Sequence, residues 1–195
     1  MRQNTARRTA LLDAAIEVLA KEGSRGLTLR AVDKEAGVPT GTTTNYFANR
    51  ADLLRQVMAR THERLTPDPS ALAETMKAEP TPELTATLLR QLLDRMRADR
   101  SSHLAMLELR LEATRRPELR EDLTRTFTAM LEANIAWHLD TGLPGDHETV
   151  LLQYTAMLGV IVDDLTVPGL LEPHGIEKII DALAQRSLPR PQTET

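Results

Sequence analysis

The stretch LTLRAVDKEAGVPTGTTTNYF, residues 27–47, decides the fold. It reads as a short helix, a tight turn at Ala36-Gly37-Val38 and a second short helix, which is the grammar of a helix-turn-helix. Thr28 can cap the first helix with its hydroxyl, and Leu29, Val32 and Ala36 recur at the spacing that buries one helical face. Gly37 supplies the positive φ that ends this helix. Val38 returns to the core, Pro39 pre-sets φ for a helical first turn, and Phe47 closes the second helix with the only large apolar group nearby. Thr43 lies one turn before Phe47 and is expected to face inward, which turns Thr40, Thr42, Thr44, Asn45 and Tyr46 outward. These side chains suit a major groove: Asn pairs bidentately with adenine, Thr offers a methyl to thymine or a hydroxyl to either partner, and Tyr donates to a phosphate oxygen. Gly41 lets a backbone come close.

Residues 5–60 resemble the DNA-binding end of TetR-family transcriptional repressors. The resemblance rests on the spacing of Leu27-Thr28, Arg30, Ala36-Gly37-Val38, Gly41-Thr42, Tyr46-Phe47 and the basic Arg50 that opens the next helix. It implies base-edge contacts from Arg30, Thr40, Thr42 and Thr44 or Asn45, and phosphate contacts from Thr28, Tyr46 and Arg50. Two departures bear on the operator sequence more than on the fold. Pro39 stands where the family often has a capping Ser, and Thr43-Thr44-Asn45 stands where bulkier Leu, Tyr, Trp or His residues are common.

Around this head, 195 residues are enough to bury a core in one domain or in two small ones. Leu and Ala abound, β-branched runs are scarce, and no strand-like alternation or fixed-period repeat is visible, so the expected fold is all-α. The resemblance implies an N-terminal three-helix DNA-binding domain over 1–48 and a C-terminal helical effector-binding and dimerisation domain over 49–195. The net charge of −4 divides unevenly. Residues 1–60 carry ten Lys and Arg against six Asp and Glu, hence +4, and the rest carry 14 against 22, hence −8. A basic head can exploit counterion release on a phosphate backbone, and an acidic body keeps other surfaces off the duplex. With no cysteine there is neither a disulfide framework nor thiolate chemistry. No signal peptide is visible, and the apolar run 150–162 is interrupted by Gln153, Tyr154 and Thr155, so a cytoplasmic location without a membrane span is expected.

Arg2, Arg7 and Arg8 precede or begin the first helix, which carries an apolar stripe through Ala14, Ala15, Val18 and Leu19 and ends at Gly23. Asn49 caps a fourth helix, with Leu53, Leu54, Val57 and Met58 inward. Further helices are expected over 69–78, 82–98, 101–115, 117–140, 147–166 and 175–186, several opened by a proline in the first turn. The last two resemble the pair by which TetR-like proteins dimerise as a four-helix bundle. Leu151, Gly159, Ile176, Ile179, Ile180 and Leu183 are the candidate interface.

A small-molecule effector, implied by the resemblance, needs a largely apolar pocket with a few directed polar groups. The candidates are Met96, His103, Leu107, Arg110, Phe127, Met130, Asn134, Trp137, Tyr154 and Met157. Asn134 reads as lying on an apolar face of its helix and needing partners, and Arg110 as a partner for a ligand carboxylate or for a nearby acid. Aromatic residues make up only 3% of the chain, which disfavours a ring-lined cage for a cation. The five histidines show no metal-ligand spacing, and no phosphate-binding glycine loop or nucleophile motif is present, so neither an enzyme nor a cofactor or metal is expected. The function these readings favour is a ligand-responsive repressor that binds a pseudo-palindromic site on double-stranded DNA as a homodimer. The competing reading is a helical small-molecule-binding or enzymatic protein with a vestigial head.

Overall fold

The computed structural model describes residues 4–186, and among them the chain is helical with no strand. Arg2 lies outside the described residues. The helices are α1 (Thr5–Gly26), α2 (Leu29–Glu35), α3 (Arg50–Leu65), α4 (Pro69–Thr75), α5 (Pro82–Ala98), α6 (Arg100–Ala113), α7 (Pro117–Asp140), α8 (His147–Thr166) and α9 (Ile176–Arg186). Their starts are written in cap residues. The side chains of Asn4, Thr28, Asn49, Asp68, Asp99 and Asp146 each accept a backbone N–H from the first turn of the helix that follows. Asp99 caps α6, which therefore starts at Arg100, one residue before the expected 101. Pro82 and Pro117 occupy the first residues of α5 and α7, where the missing N–H costs nothing.

The chain divides into two compact units. The first comprises the described residues through Thr66 together with Asp99–Phe127; the second comprises 67–98 and the described residues from Thr128 onward. These units cut across the sequence division at residue 48, because α3, α6 and the first half of α7 belong with the head. In the first unit α1 packs on α2, α3 and α6, and α3 also packs on α6. Its core is aliphatic, with Leu11, Ile16, Leu19, Val32, Leu53 and Leu109 buried around Phe47, which is 1% exposed. Burying each such side chain contributes roughly 1.5–3 kcal/mol. In the second unit α5 packs on α8 and α9, around Leu93, Met157 and Ile180. Arg90 of α5 pairs with Glu177 (2.6 Å) and Asp181 of α9, and Arg97 forms two bonds of 2.7 and 2.8 Å to Asp164 of α8.

α8 differs from expectation in one respect. Despite its interrupting polar residues it is, by length and composition alone, long and apolar enough to cross a membrane. Val150, Met157, Val160, Ile161 and Leu165 are buried within the chain, whereas Leu151 and Leu152 are exposed.

Candidate nucleic-acid interface

Thr28 is exposed and caps α2, its Oγ1 accepting the Ala31 N–H at 3.0 Å. α2 ends as expected: Gly37 takes φ +62°, a left-handed conformation that costs a glycine little. The recognition segment that follows is not the regular short helix that the sequence suggests. It is a turn containing a single 3-10 stretch, Thr43–Asn45, built on i→i−3 bonds from Thr42 to Pro39, Asn45 to Thr42 and Tyr46 to Thr43. The side chains supply the reason. Thr42 Oγ1 donates to the Pro39 carbonyl (2.6 Å), while Thr44 Oγ1 (2.6 Å) and Asn45 Nδ2 (3.3 Å) donate to the Gly41 carbonyl. Such local bonds compete with α-helical pairing and favour a tight turn.

The inward and outward faces divide as expected. Thr43 is fully buried, Phe47 nearly so, and Arg30, Thr40, Thr44 and Asn45 are exposed, with Gly41, Thr42 and Tyr46 partly so. Asp33 is the residue that sequence reasoning missed. Its carboxylate, 2% exposed, accepts the N–H groups of Gly41 and Thr43 at 2.7 Å each and the Thr43 hydroxyl at 2.5 Å. Burial opposes its charge, but the Thr43 hydroxyl and the two amides outweigh it and hold the carboxyl below its ordinary value. The signal was present in the sequence: 29, 32, 33 and 36 form one helical stripe, which puts an acid on the buried face.

Arg50 has partners that the sequence did not show. Its guanidinium, assigned to a phosphate, is committed inside the protein: Nε donates to the Leu27 carbonyl (3.2 Å), Nη1 to Glu112 (3.0 Å), and Nη2 to the carbonyl (2.5 Å) and hydroxyl (3.0 Å) of Ser24. Glu112 also accepts from the Ser24 hydroxyl (2.6 Å) and from Arg116, and Glu108 accepts the Ser24 N–H (2.9 Å). The Ser24 hydroxyl, opposed by burial and supported by Arg116 and Arg50, leads in lowering the Glu112 pKa to about 2. One face of α6 thus grips the α1–α2 turn and the start of α3. Arg8, in the first turn of α1, bonds Gln56 (2.9 Å) and lies 5.4 Å from the centre of the Phe47 ring.

A buried apolar anchor, a carboxylate-tethered turn and an outward row of Arg, Thr and Asn are the parts of a helix-turn-helix reader. Residues 11–57 match the family model described as bacterial regulatory proteins, tetR family, and residues 80–190, more than half of the chain, match the tetracyclin repressor-like C-terminal domain. This chain belongs to the TetR family. It is a DNA-binding transcriptional regulator. The HTH-type transcriptional regulator BetI of Paraburkholderia phytofirmans is 26% identical over 168 residues, covering 85% of this chain and 82% of that protein. The crystal structure of the multidrug binding protein EbrR complexed with imidazole is 28% identical, with a TM-score of 0.67 over 97% of this chain and 99% of that one. A TetR-family member from Streptomyces coelicolor A3 is 28% identical, with a TM-score of 0.70 over 94% and 99%.

The effector candidates of this TetR-family chain fall into both units. In the first, His103 is buried with Nε2 unpartnered, and burial and then the charge of Arg110 lower its pKa. Leu107 is half-buried, and the Arg110 guanidinium lies 4.2 Å from the centre of the half-buried Phe127 ring, a cation–π contact. In the second, Met96 and Met157 are buried, and Met130, Trp137 and Tyr154 are half-buried. Asn134 is exposed and needs no protein partner, because the buried stripe of α7 turns from Leu119 and Leu123 to Ile135 and His138. Two surface clefts, of about 240 Å³ beside Leu54 and Leu119 and about 460 Å³ beside Leu84 and Gln91, contain none of these candidates.

Of the interface candidates, Leu151 and Gly159 are exposed on α8, and a Cβ built on Gly159 meets nothing within 4 Å. Ile176, Ile179 and Leu183 are half-buried. Ile180 is fully buried within the chain, so its area is not available to a partner; α9 spends the centre of its apolar stripe on α5 and α8.

Proposed function

We propose that this regulator is a repressor that binds a pseudo-palindromic operator as a homodimer and is released by a small-molecule effector. Residues 1–48 read the DNA, and residues 49–195 hold the effector and the dimer contact. The outward row of Arg30 on α2 and Thr40, Thr44 and Asn45 on a turn fixed from behind by Asp33 and Phe47 carries this reading. Two copies would present that row to half-sites about 34 Å apart along one face of the duplex. The exposed apolar face of α8, with Leu151, Leu152, Ala156 and Gly159, supports self-association, and the small residues permit close helix approach. In this reading the apolarity of α8 serves a partner subunit, and the protein works in the cytoplasm without an enzymatic step, cofactor or metal. Complexes of the related EbrR with imidazole, ethidium and malachite green support small-molecule binding.

The test is selection of bound duplexes from a random DNA pool by the purified chain at two salt concentrations. Enrichment of a two-fold symmetric site is the expected result. A well-folded sample that enriches no site at either salt would overturn the reading.

A further inference from the structure

α5 carries three arginines in its last two and a half turns, and they are treated differently. Arg90 and Arg97 each meet acids of neighbouring helices, Glu177 and Asp181 for the first and Asp164 for the second. Arg95 lies between them on the face of Leu88 and Leu92, half-buried, with its Nε shut off from solvent and without an acceptor. It forms no ion pair among the described residues, and desolvation alone acts on its charge, holding its pKa below the ordinary arginine value. In the same unit, on the α8 helix that packs against α5, Gln153 is 5% exposed and its side-chain amide N–H₂ also lacks an acceptor. Both orphans are donors. A guanidinium is too basic to shed its proton as a buried lysine does, so an unpaired one carries a standing electrostatic cost. Placing an anion beside it removes that cost, and its flat fork matches a carboxylate in two parallel bonds. The large buried side chains on the same two helices include Met96 and Met157, adaptable apolar groups that suit an aliphatic guest.

We propose that Arg95 anchors an anionic effector, an organic carboxylate or equivalent acid with an apolar body, bound within the second unit. This rests on the reading of the chain as an effector-controlled regulator and adds the charge class of the effector. A positively charged guest is excluded from the neighbourhood of an uncompensated guanidinium by the same electrostatics that recruits an acid.

The experiment compares the full chain with Arg95→Met by thermal unfolding and by operator binding. The ligands are straight-chain carboxylates from butanoate to decanoate, the matching alcohols and the matching alkyltrimethylammonium ions. Without ligand, Arg95→Met is expected to melt no lower than the wild type, because a buried donor without an acceptor is removed from a half-buried side chain. At least one carboxylate should stabilise the wild type and release its operator, and Arg95→Met should weaken that response about a hundredfold. The proposal is overturned if Arg95→Met melts below the wild type without ligand, if no carboxylate shifts the wild type, or if the ammonium series matches the carboxylates. Melting uses no DNA. A wild type that binds no operator would therefore sink the regulator reading, while the melting comparison still decides the role of Arg95.

Discussion

Replacing Glu112 with Gln tests the clamp between α6 and the reading head. The Glu112 side chain is 10% exposed and touches Ser24, Arg116 and Arg50, which outweigh the opposing effect of burial and place its pKa at about 2 against an ordinary 4.5. A depression of that size corresponds to a ceiling of about 3 kcal/mol of stability at neutral pH, at about 1.4 kcal/mol per unit. The sign follows from proton uptake. Because the folded pKa is the lower one, the stabilisation is complete above pH 4.5 and fades as pH falls from 4.5 through 2, about half remaining near pH 3. Glu112→Gln should lose about 2–3 kcal/mol at pH 7, since it leaves the Arg50 guanidinium without its counter-charge. The assay is urea unfolding of wild type and variant from pH 7 to pH 3. The gap between them should narrow steadily on acidification. Arg50→Ala should cost much less in the Glu112→Gln background than alone, because the two sites share one interaction. A gap below about 1 kcal/mol at pH 7, or one that stays constant with pH, would refute the clamp.

Four further outcomes are expected. Asp33→Ala leaves three donors of the recognition turn without their acceptor and should lower both stability, by about 1–3 kcal/mol, and discrimination among operator variants; circular dichroism melting and competition binding measure the two effects. Asn45→Ala should reduce the preference for the selected operator by about 1–3 kcal/mol with little change in binding to random DNA. Arg50→Ala should leave the salt dependence of DNA binding close to that of the wild type, because its guanidinium is spent inside the protein, whereas a phosphate contact would flatten the slope by about one unit. Leu152→Glu should convert a dimer to a monomer in analytical ultracentrifugation and weaken operator binding without unfolding the chain, since the side chain is exposed in the protomer.

Element boundaries were legible because caps and prolines are local signals: Asn49, Pro82 and Pro117 open the helices they were expected to open. The helix-turn-helix was legible for the same reason, since its stripe, its Gly37 turn and its Phe47 anchor sit within 21 residues. What escaped was long-range. Arg50 and Glu112 are 62 residues apart, and nothing in the periodicity of either helix shows that they meet. The expected regularity of the recognition segment failed where side chains outbid the backbone, at Thr42, Thr44 and Asn45. Asn134 and Ile180 illustrate the same limit: a helical wheel identifies an apolar face without naming what covers it or where along the helix the covering changes. The unpartnered Nε of Arg95 was invisible because the sequence does not show which of the acids on neighbouring helices reaches which arginine.

Asp33 has a consequence for how the protein can hold a duplex. Backbone amides at the start of a turn or helix are the commonest anion seats in proteins. Here the amides of Gly41 and Thr43 are occupied by the chain's own carboxylate. A DNA phosphate cannot take them, and it would meet a fixed negative charge just behind the turn. The strand must then be gripped from the flanks, by side chains outside the turn, while the turn itself faces the base edges. The division makes the centre of the footprint a reader and its margins the adhesive, so salt should tune how long the protein stays on DNA far more than which sequence it chooses.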